Sequence, residues 1–308
     1  MTKPTYQQVH VDVPLTNLSI AYTPGGFIAD QVFPAVPVQR ISDKYFIYTK
    51  ADWLRREAKV RAAGTRAARG DYGLSTSTYV CVERAIGKGV PDEIVANAED
   101  PLKPLEDGTK WCVTQIQLEK EYQVAAVVLG SSVWSSSATP SVLWSNATSD
   151  PIGDVETAAN TVVGAIGMEA NVGVLGRGLW RYVKNHPDIL DRIKYSAGPN
   201  SPAIATVNAV AALFGLGKLL VGSAVYETAA EGATSSMSYV WANSMFVGYV
   251  TGSPSLMEPS AGYIFTYQQR RTERFREDQE HQDVVTVYES YDIRATAADS
   301  GYLIKTAA

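Results

Sequence analysis

Between two runs of strand-forming residues lies a stretch of 23 residues, 49–71, that a single closed domain has no means of covering. The first run, Lys44–Tyr48, is aromatic and β-branched. The second, Tyr72–Glu83, alternates Leu74, Thr76, Thr78, Val80 and Val82 with Ser75, Ser77, Tyr79 and Cys81. Together they read as the legs of a hairpin. Hairpin loops usually hold about two to five residues, and structureless connections beyond ~12–15 are uncommon unless they serve a function. From Lys50 to Arg69 the tip carries Lys50, Arg55, Arg56, Lys59, Arg61, Arg66 and Arg69 against Asp52 and Glu57, on a chain whose net charge is −5. Trp53 and Leu54 lie in the same stretch, and a merely solvated loop gains nothing from them. The combination reads as a docking element for an acidic surface.

Residues 1–37 pose the same problem in apolar form. Pro4, Pro14, Pro24, Pro34 and Pro37 punctuate them and bias the chain toward extended conformations. No helical period is present, yet Leu15, Leu18, Ile20, Tyr22, Phe27, Ile28, Val32 and Phe33 are apolar. An arm of this kind needs a surface to lie on, its own domain's or a neighbour's. Composition agrees: apolar residues make up 45%, enough for a core, while charged residues make up only 19% against about 25% in a typical soluble protein. Much of the surface therefore ends up against something other than water.

The rest of the chain reads as mixed α and β. Residues 105–129 predict a long helix with Trp111, Leu118, Tyr122, Ala125 and Leu129 near one face, Cys112 and Ile116 beside them, and Glu119, Lys120 and Glu121 mostly off that stripe. From Asp150 short helices and strands alternate: a helix to about Ile166 with Asp150 as its cap and Pro151 first, then a strand at 172–175. Helices at 176–185, 187–194 and 206–214 follow, with strands at 218–222, 238–241 and 245–250. The chain returns to β at Tyr263–Gln268 and Val284–Ala295, with Arg270–Asp283 read as a mixed-charge turn.

No arrangement of residues for catalysis stands out. The three histidines, His10, His186 and His281, are scattered, and Cys81 and Cys112 have neither disulfide-framework nor metal spacing. Gly215-Leu-Gly217-Lys218 lacks the first glycine and the Ser or Thr of a phosphate loop. Gly173-Val-Leu-Gly176-Arg-Gly178 has its glycines in the wrong order for a dinucleotide site. There is no Gly-x-Ser-x-Gly elbow. The opening residues hold no apolar run of signal-peptide length, and no stretch approaches the ~18–20 apolar residues of a membrane span. A net charge of −5 argues against a dedicated nucleic-acid binder.

An arm, a long basic hairpin, one long helix, an α/β block and closing long strands follow one another in order. In that order, and in its segments, the chain resembles the major capsid proteins of tailed bacteriophages with the Hong Kong 97 type coat fold. The segments are Phe27–Pro34, Lys44–Tyr48, Arg61–Arg69, Val90–Glu93, His186–Tyr195, Leu213–Gly215, Val221–Tyr226 and Pro259–Gly262. The resemblance implies an α+β chain with an N-terminal arm at 1–37, an extended loop at 38–86, a peripheral domain at 87–140 and 262–308 built on a spine helix, and an axial α/β domain at 141–261. It implies a structural, non-catalytic role without cofactor, metal or membrane: a shell of hexamers and pentamers made of many copies of the chain, enclosing double-stranded DNA through non-specific contacts. The further partners implied are a portal protein and a separate scaffolding protein, since no long segment precedes the arm; a decoration protein is allowed. The inter-subunit contacts expected are Lys50, Trp53, Arg55, Arg56, Lys59, Arg61, Arg66 and Arg69 on the tip, and Phe27, Ile28, Val32 and Phe33 on the arm. Lys50 and Lys59 sit on the loop that some relatives cross-link, but no partner Asn or activating Glu stands out, so no covalent link is expected. The chain is expected in the host cytoplasm before assembly and in the virion afterwards. The same fold also serves encapsulin-type compartments and gene-transfer particles; an unrelated α/β enzyme is the remaining alternative.

Overall fold

Two five-stranded sheets, joined by one long helix and by the arm, organise the chain. The structure, a computed structural model, describes residues 10–11, 15, 26–47, 54–69, 71, 73, 75–99, 102–197, 205–253 and 258–308. In chain order the strands are β1 (His10–Val11), β2 (Ala35–Pro37), β3 (Ser42–Ile47), β4 (Ser75–Val80), β5 (Val82–Pro91), β6 (Ser136–Ala138) and β7 (Val172–Gly176). They continue with β8 (Lys218–Gly222), β9 (Val225–Glu227), β10 (Met237–Tyr239), β11 (Met245–Gly248), β12 (Gly262–Glu277), β13 (Gln282–Ala295) and β14 (Gly301–Ile304). The helices are α1 (Ala29–Val32), α2 (Asp92–Ala96), α3 (Pro104–Val128), α4 (Pro151–Ile166), α5 (Arg177–Asn185), α6 (Pro187–Ala197) and α7 (Val207–Leu213).

The first sheet runs β1-β12-β13-β5, with β2 parallel to the start of β12. The 25-residue helix α3 lies on it, packing Cys112, Val113 and Ile116 against Val287 and Ile86. The second sheet runs β6-β14-β11-β7-β8 and, with α4 to α7, forms a core around Trp144, Val155, Leu175, Leu179, Ile189 and Met245. A shared core joins the two. In it Val124, Ala125 and Val128 of α3 meet Phe33 of the arm, Trp241, Phe246 and Leu303 of the second sheet's region, and Ile264 and Tyr291 of the first.

Helix α4 shows local sequence deciding local structure. The Asp150 carboxylate accepts from the N–H of Gly153 at 2.9 Å, and Pro151 opens the first turn, where its missing donor costs nothing. Val155, Ala158, Val162 and Ile166 then fall on one buried stripe. Gly167, at φ 73°, closes the helix in the left-handed region that a side chain would resist.

Three expectations need correction. The buried stripe of α3 is Cys112, Val113, Ile116, Lys120, Glu121, Val124 and Val128, whereas Trp111 and Tyr122 are exposed. The apolar count alone placed the stripe nearly half a turn away at about 100° per residue, because Lys120 hides its charge in ion pairs and Glu121 among three N–H donors. Residues 270–277 are strand rather than turn: β12 continues to Glu277, and only 278–281 make the bend. Charges along this part of the hairpin answer one another across strands, Arg274 to Asp283 at 2.7 Å and Arg271 to Glu83 at 2.8 Å. Finally, the division at 262–308 does not hold to its end. Strand β14 pairs antiparallel with β11, Met245↔Ile304 to Gly248↔Gly301, inside the sheet of the 141–261 block. All four residues of β14 are buried in that sheet.

Gly222 in β8 is a test of this packing. A Cβ there would overlap the indole of Trp241, which is 1% exposed and cannot move aside. Gly222→Ala is expected to destabilise the unassembled subunit by about 1–3 kcal/mol, as overpacking of a filled core does, read from the urea midpoint.

Candidate assembly surfaces and the buried arm lock

The β3–β4 hairpin is pinned to the first sheet on one face only. The Tyr79 ring stacks on Phe265 with centroids 4.7 Å apart, Tyr45 reaches the same ring at 5.3 Å, and the N–H of Val80 donates to Asp292 at 2.9 Å. The opposite side leaves Phe46, Val80 and Val82 exposed. Beyond the hairpin the described tip, 54–69, is exposed at every residue and has no regular structure apart from a turn in which Thr65 bonds back to Ala62. Arg55 stands 3.9 Å from Glu57; Arg56, Lys59, Arg61, Arg66 and Arg69 make no ion pair among the described residues. Lys50 and Trp53 lie outside the described residues. The geometry brings the described tip residues together as a projecting cationic strip, with Leu54 and Val60 bare beside them.

The arm behaves otherwise. Ile28, Val32 and Phe33 are buried in the chain's own shared core, and Phe27 is half-buried. The reading of Ile28, Val32 and Phe33 as contacts to a neighbour is therefore corrected: their surface is already consumed by Val124, Ala125, Val128 and Ile264 of the same chain. An apolar run declares that it needs cover and not which copy supplies it.

What fixes the arm is a pair of charges that sequence periodicity passed over. Glu121, fully buried on α3, accepts from the N–H groups of Ile28 at 3.0 Å and Ala29 at 2.7 Å, and from the indole N–H of Trp241 at 2.6 Å. One carboxylate thus satisfies the opening of the arm's helical turn and holds the side chain that covers Gly222. Its neighbour Lys120 reaches Asp30 of the arm at 2.6 Å and Glu289 of β13 at 3.0 Å, and Glu289 also holds Arg270 at 3.3 Å. Burial pushes the Glu121 carboxyl above its ordinary value, an effect that its three donors offset only in part. Burial alone would lower Lys120, but the carboxylates of Glu289 and Asp30 outweigh it and hold the ammonium above its ordinary value. The signal that was available is the run Glu119-Lys-Glu121 flanked by Ile116 and Val124 at helical spacing, a charged island inside an apolar stripe.

The histidines and cysteines occupy structural places. His186 is buried where α5 meets α6, with Nε2 3.0 Å from Ser149 Oγ. Cys81 and Cys112 are buried free thiols, and burial pushes Cys112 up to about 11. Among the described residues no group of three or more His, Cys, Asp or Glu could hold a metal ion, and no helix is long and apolar enough to cross a membrane. Two of the hollows on the described surface contrast in lining. One, of about 440 Å³, is lined by Arg177, Arg181, Lys184 and Tyr239 among others. The other, of about 520 Å³, lies between α2 and the start of α3.

No protein-family model matches the chain. The major capsid protein of Burkholderia phage BcepMu is 27% identical over 308 residues, covering 96% of this chain and 95% of that protein. The major capsid protein of Pseudomonas phage JBD67 is 24% identical over 235 residues, covering 75% and 74%. Among solved structures, a phage-related protein from Bordetella bronchiseptica superposes with a TM-score of 0.76 at 25% identity, over 97% of this chain and 98% of that one. A chain of the capsid structure of cyanophage P-SCSP1u superposes with a TM-score of 0.63 at 9% identity, over 99% of this chain and 92% of that one. Projections around a two-sheet body and likeness along nearly the whole length point to one fold, the α+β coat fold of the Hong Kong 97 type. Along that length the chain is similar to major capsid proteins of phages, in line with what the resemblance implied.

The lock yields two expectations. Glu121→Ala strands three buried donors at about 1–3 kcal/mol for each group left unsatisfied, so the unassembled subunit loses several kcal/mol and becomes cleavable by protease within 26–33. Glu121→Gln isolates the titration. A carboxyl raised above its unfolded value of 4.5 adds stability below that value and loses it as the pH climbs through the folded value. The unsubstituted chain's advantage over the Gln variant should therefore shrink from about pH 4 to pH 7 in urea denaturation.

Proposed function

We propose that this chain is the repeating subunit of an icosahedral phage head: it assembles with its own copies into hexamers and pentamers and encloses double-stranded DNA. In this reading 1–37 serve as arm, 38–86 as the extended loop, 87–140 and 262–300 as the peripheral domain, and 141–261 with β14 as the axial domain that meets its copies at the capsomer centres. The observation that carries the proposal is the tip. Its cations and its bare Leu54 and Val60 have no use within the described parts of their own subunit, so a neighbour supplies their partner surface. Portal, separate scaffolding and decoration proteins complete the set of expected partners. Contact with DNA is expected to be non-specific and salt-sensitive, as for any phosphate-neutralising surface. No residue is assigned a catalytic role. The chain passes from the host cytoplasm into the virion.

Energetics set the design of the test. A single exposed ion pair contributes about 0–1 kcal/mol, so one Arg→Ala change in the tip should be tolerated. Several cations partly desolvated against an acidic neighbour add up. Expression of the chain with its scaffolding partner should give closed shells in electron micrographs. The combined change Arg61→Glu, Arg66→Glu and Arg69→Glu should abolish them while the circular dichroism of the subunit stays unchanged. Normal shells from that variant, with only DNA retention impaired, would assign the tip to the lumen instead.

A further inference from the structure

Helix α5 turns a row of cations into a hollow that no carboxylate lines. Arg177, Arg181 and Lys184 stand at i, i+4 and i+7, the spacing that puts side chains on one face of a helix. With Tyr182, Tyr239 and Asn243 among others they line the cavity of about 440 Å³. Arg177 and Arg181 are exposed, Lys184 is half-buried, and none of the three makes an ion pair among the described residues. Like charges at this spacing repel, and α5 carries no acid to relieve them. The Arg181 guanidinium is held in place: it donates to the Tyr182 hydroxyl at 2.7 Å and lies 4.7 Å from the centre of that ring. Arg181 and Tyr182 also line a second hollow, of about 410 Å³, with Asn185 and His186. Asp188, 3.8 Å from His186, lines neither hollow. Asn243 spends one donor on the Ala308 oxygen at 3.3 Å.

A ligand for this surface is anionic and longer than one group. By helix rise, Arg177 to Lys184 covers about 10 Å, the axial length of about three phosphates on one strand of a DNA duplex. The two hollows that share Arg181 continue the row beyond a single anion. Arg, Lys and Tyr are among the side chains that bond phosphate oxygens in protein–DNA interfaces, and Tyr239, 51% exposed, keeps its hydroxyl within reach of such a ligand. We infer that the α5 face is where the 141–261 block meets the phosphate backbone of the enclosed DNA, with Arg177, Arg181 and Lys184 each neutralising one phosphate and Tyr182 and Tyr239 donating beside them. This rests on the shell reading above and adds the surface that meets DNA, which turns α5 toward the lumen. Three contacts per copy agree with a chain of net charge −5: one copy binds weakly, and many copies confine.

Two measurements test it. The anisotropy of a short fluorescent DNA duplex is followed against salt with unassembled subunits, for the unsubstituted chain and for the combined change Arg177→Gln, Arg181→Gln and Lys184→Gln. Each phosphate contact contributes about 0.9 to the slope of log K on log salt, so the slope should become shallower by about 2–3 in the triple variant. Arg177→Lys with Arg181→Lys keeps the charge and should keep the slope. An unchanged slope in the triple variant, with its circular dichroism intact, would overturn the inference. So would displacement of the duplex by inorganic phosphate at constant ionic strength, the mark of a single-anion pocket, or tighter binding of polyglutamate than of the duplex, the mark of an acidic protein partner. The second measurement uses particles. An amine-acylating reagent should label Lys184 in empty shells and spare it in DNA-filled ones, read by peptide mass spectrometry. Equal labelling in both would overturn the inference while leaving the shell reading intact; absence of shells from the unsubstituted chain would remove the shell reading itself.

Discussion

Two adjacent charges inside an otherwise apolar seam hold the subunit together. Glu121 and Lys120 stand where helix α3, the arm and both sheets converge, and each joins the helix to more than one of them. A buried charge is costly unless it is paired and hydrogen-bonded, and removing one partner of such a pair typically loses about 3–5 kcal/mol. An apolar pair at the same place could be as stable, but it would tolerate sliding. Two backbone donors of the arm aimed at one carboxylate fix the arm's entry to a single register along the helix. With that register set, Pro34 and its successors fall beside β12, where Ile264 bonds back to Pro34 and β2 extends the sheet. The hairpin then leaves the body at a fixed place.

The subunit is therefore divided into a part that satisfies itself and a part that does not. The two sheets, α3 to α7 and the arm from Gly26 close three contiguous cores with few orphaned groups. The tip, the outer face of β3–β4 and helix α2 leave apolar side chains in water. A chain that must stay soluble alone and yet join its copies gains from keeping these separate, because the sticky parts can be bare without the fold depending on them. The low share of charged residues, 19%, reflects this second part rather than a larger interior.

The sequence reveals features whose cause is local and hides those whose cause lies elsewhere in space. The start of helix α4 was legible to the residue, and its end to about Ile166, because Asp150 and Pro151 act on their own backbone. The projecting tip was visible because length and charge need no knowledge of the partner. The lock was not, since Lys120 and Glu121 look like any solvated pair until Ile28, Trp241 and Glu289 arrive from up to 169 residues away. Strand β14 was missed for a similar reason: Gly301-Tyr-Leu-Ile304 is short, and its only partners lie beside it after folding. The extent of β12 was hidden because alternating charges read as a turn when the facing strand is unknown. The arm's apolar residues announced burial correctly and its location wrongly.

The asymmetric anchoring of the hairpin governs how the subunit bears mechanical load. Tension applied to the tip along the strands leaves through both legs. One leg continues through Cys81 into β5, whose pairing with β13 runs from Val82↔Tyr291 to Pro91↔Gln282. The pull there is parallel to the strands, so the whole ladder must slide at once, the strongest way to stress a sheet. The other leg returns to β2, held to β12 by only three paired positions. A shell swollen from within would feel its neighbours mainly through β5, with the arm side yielding first as a compliant strap and the spine helix left undisturbed behind it.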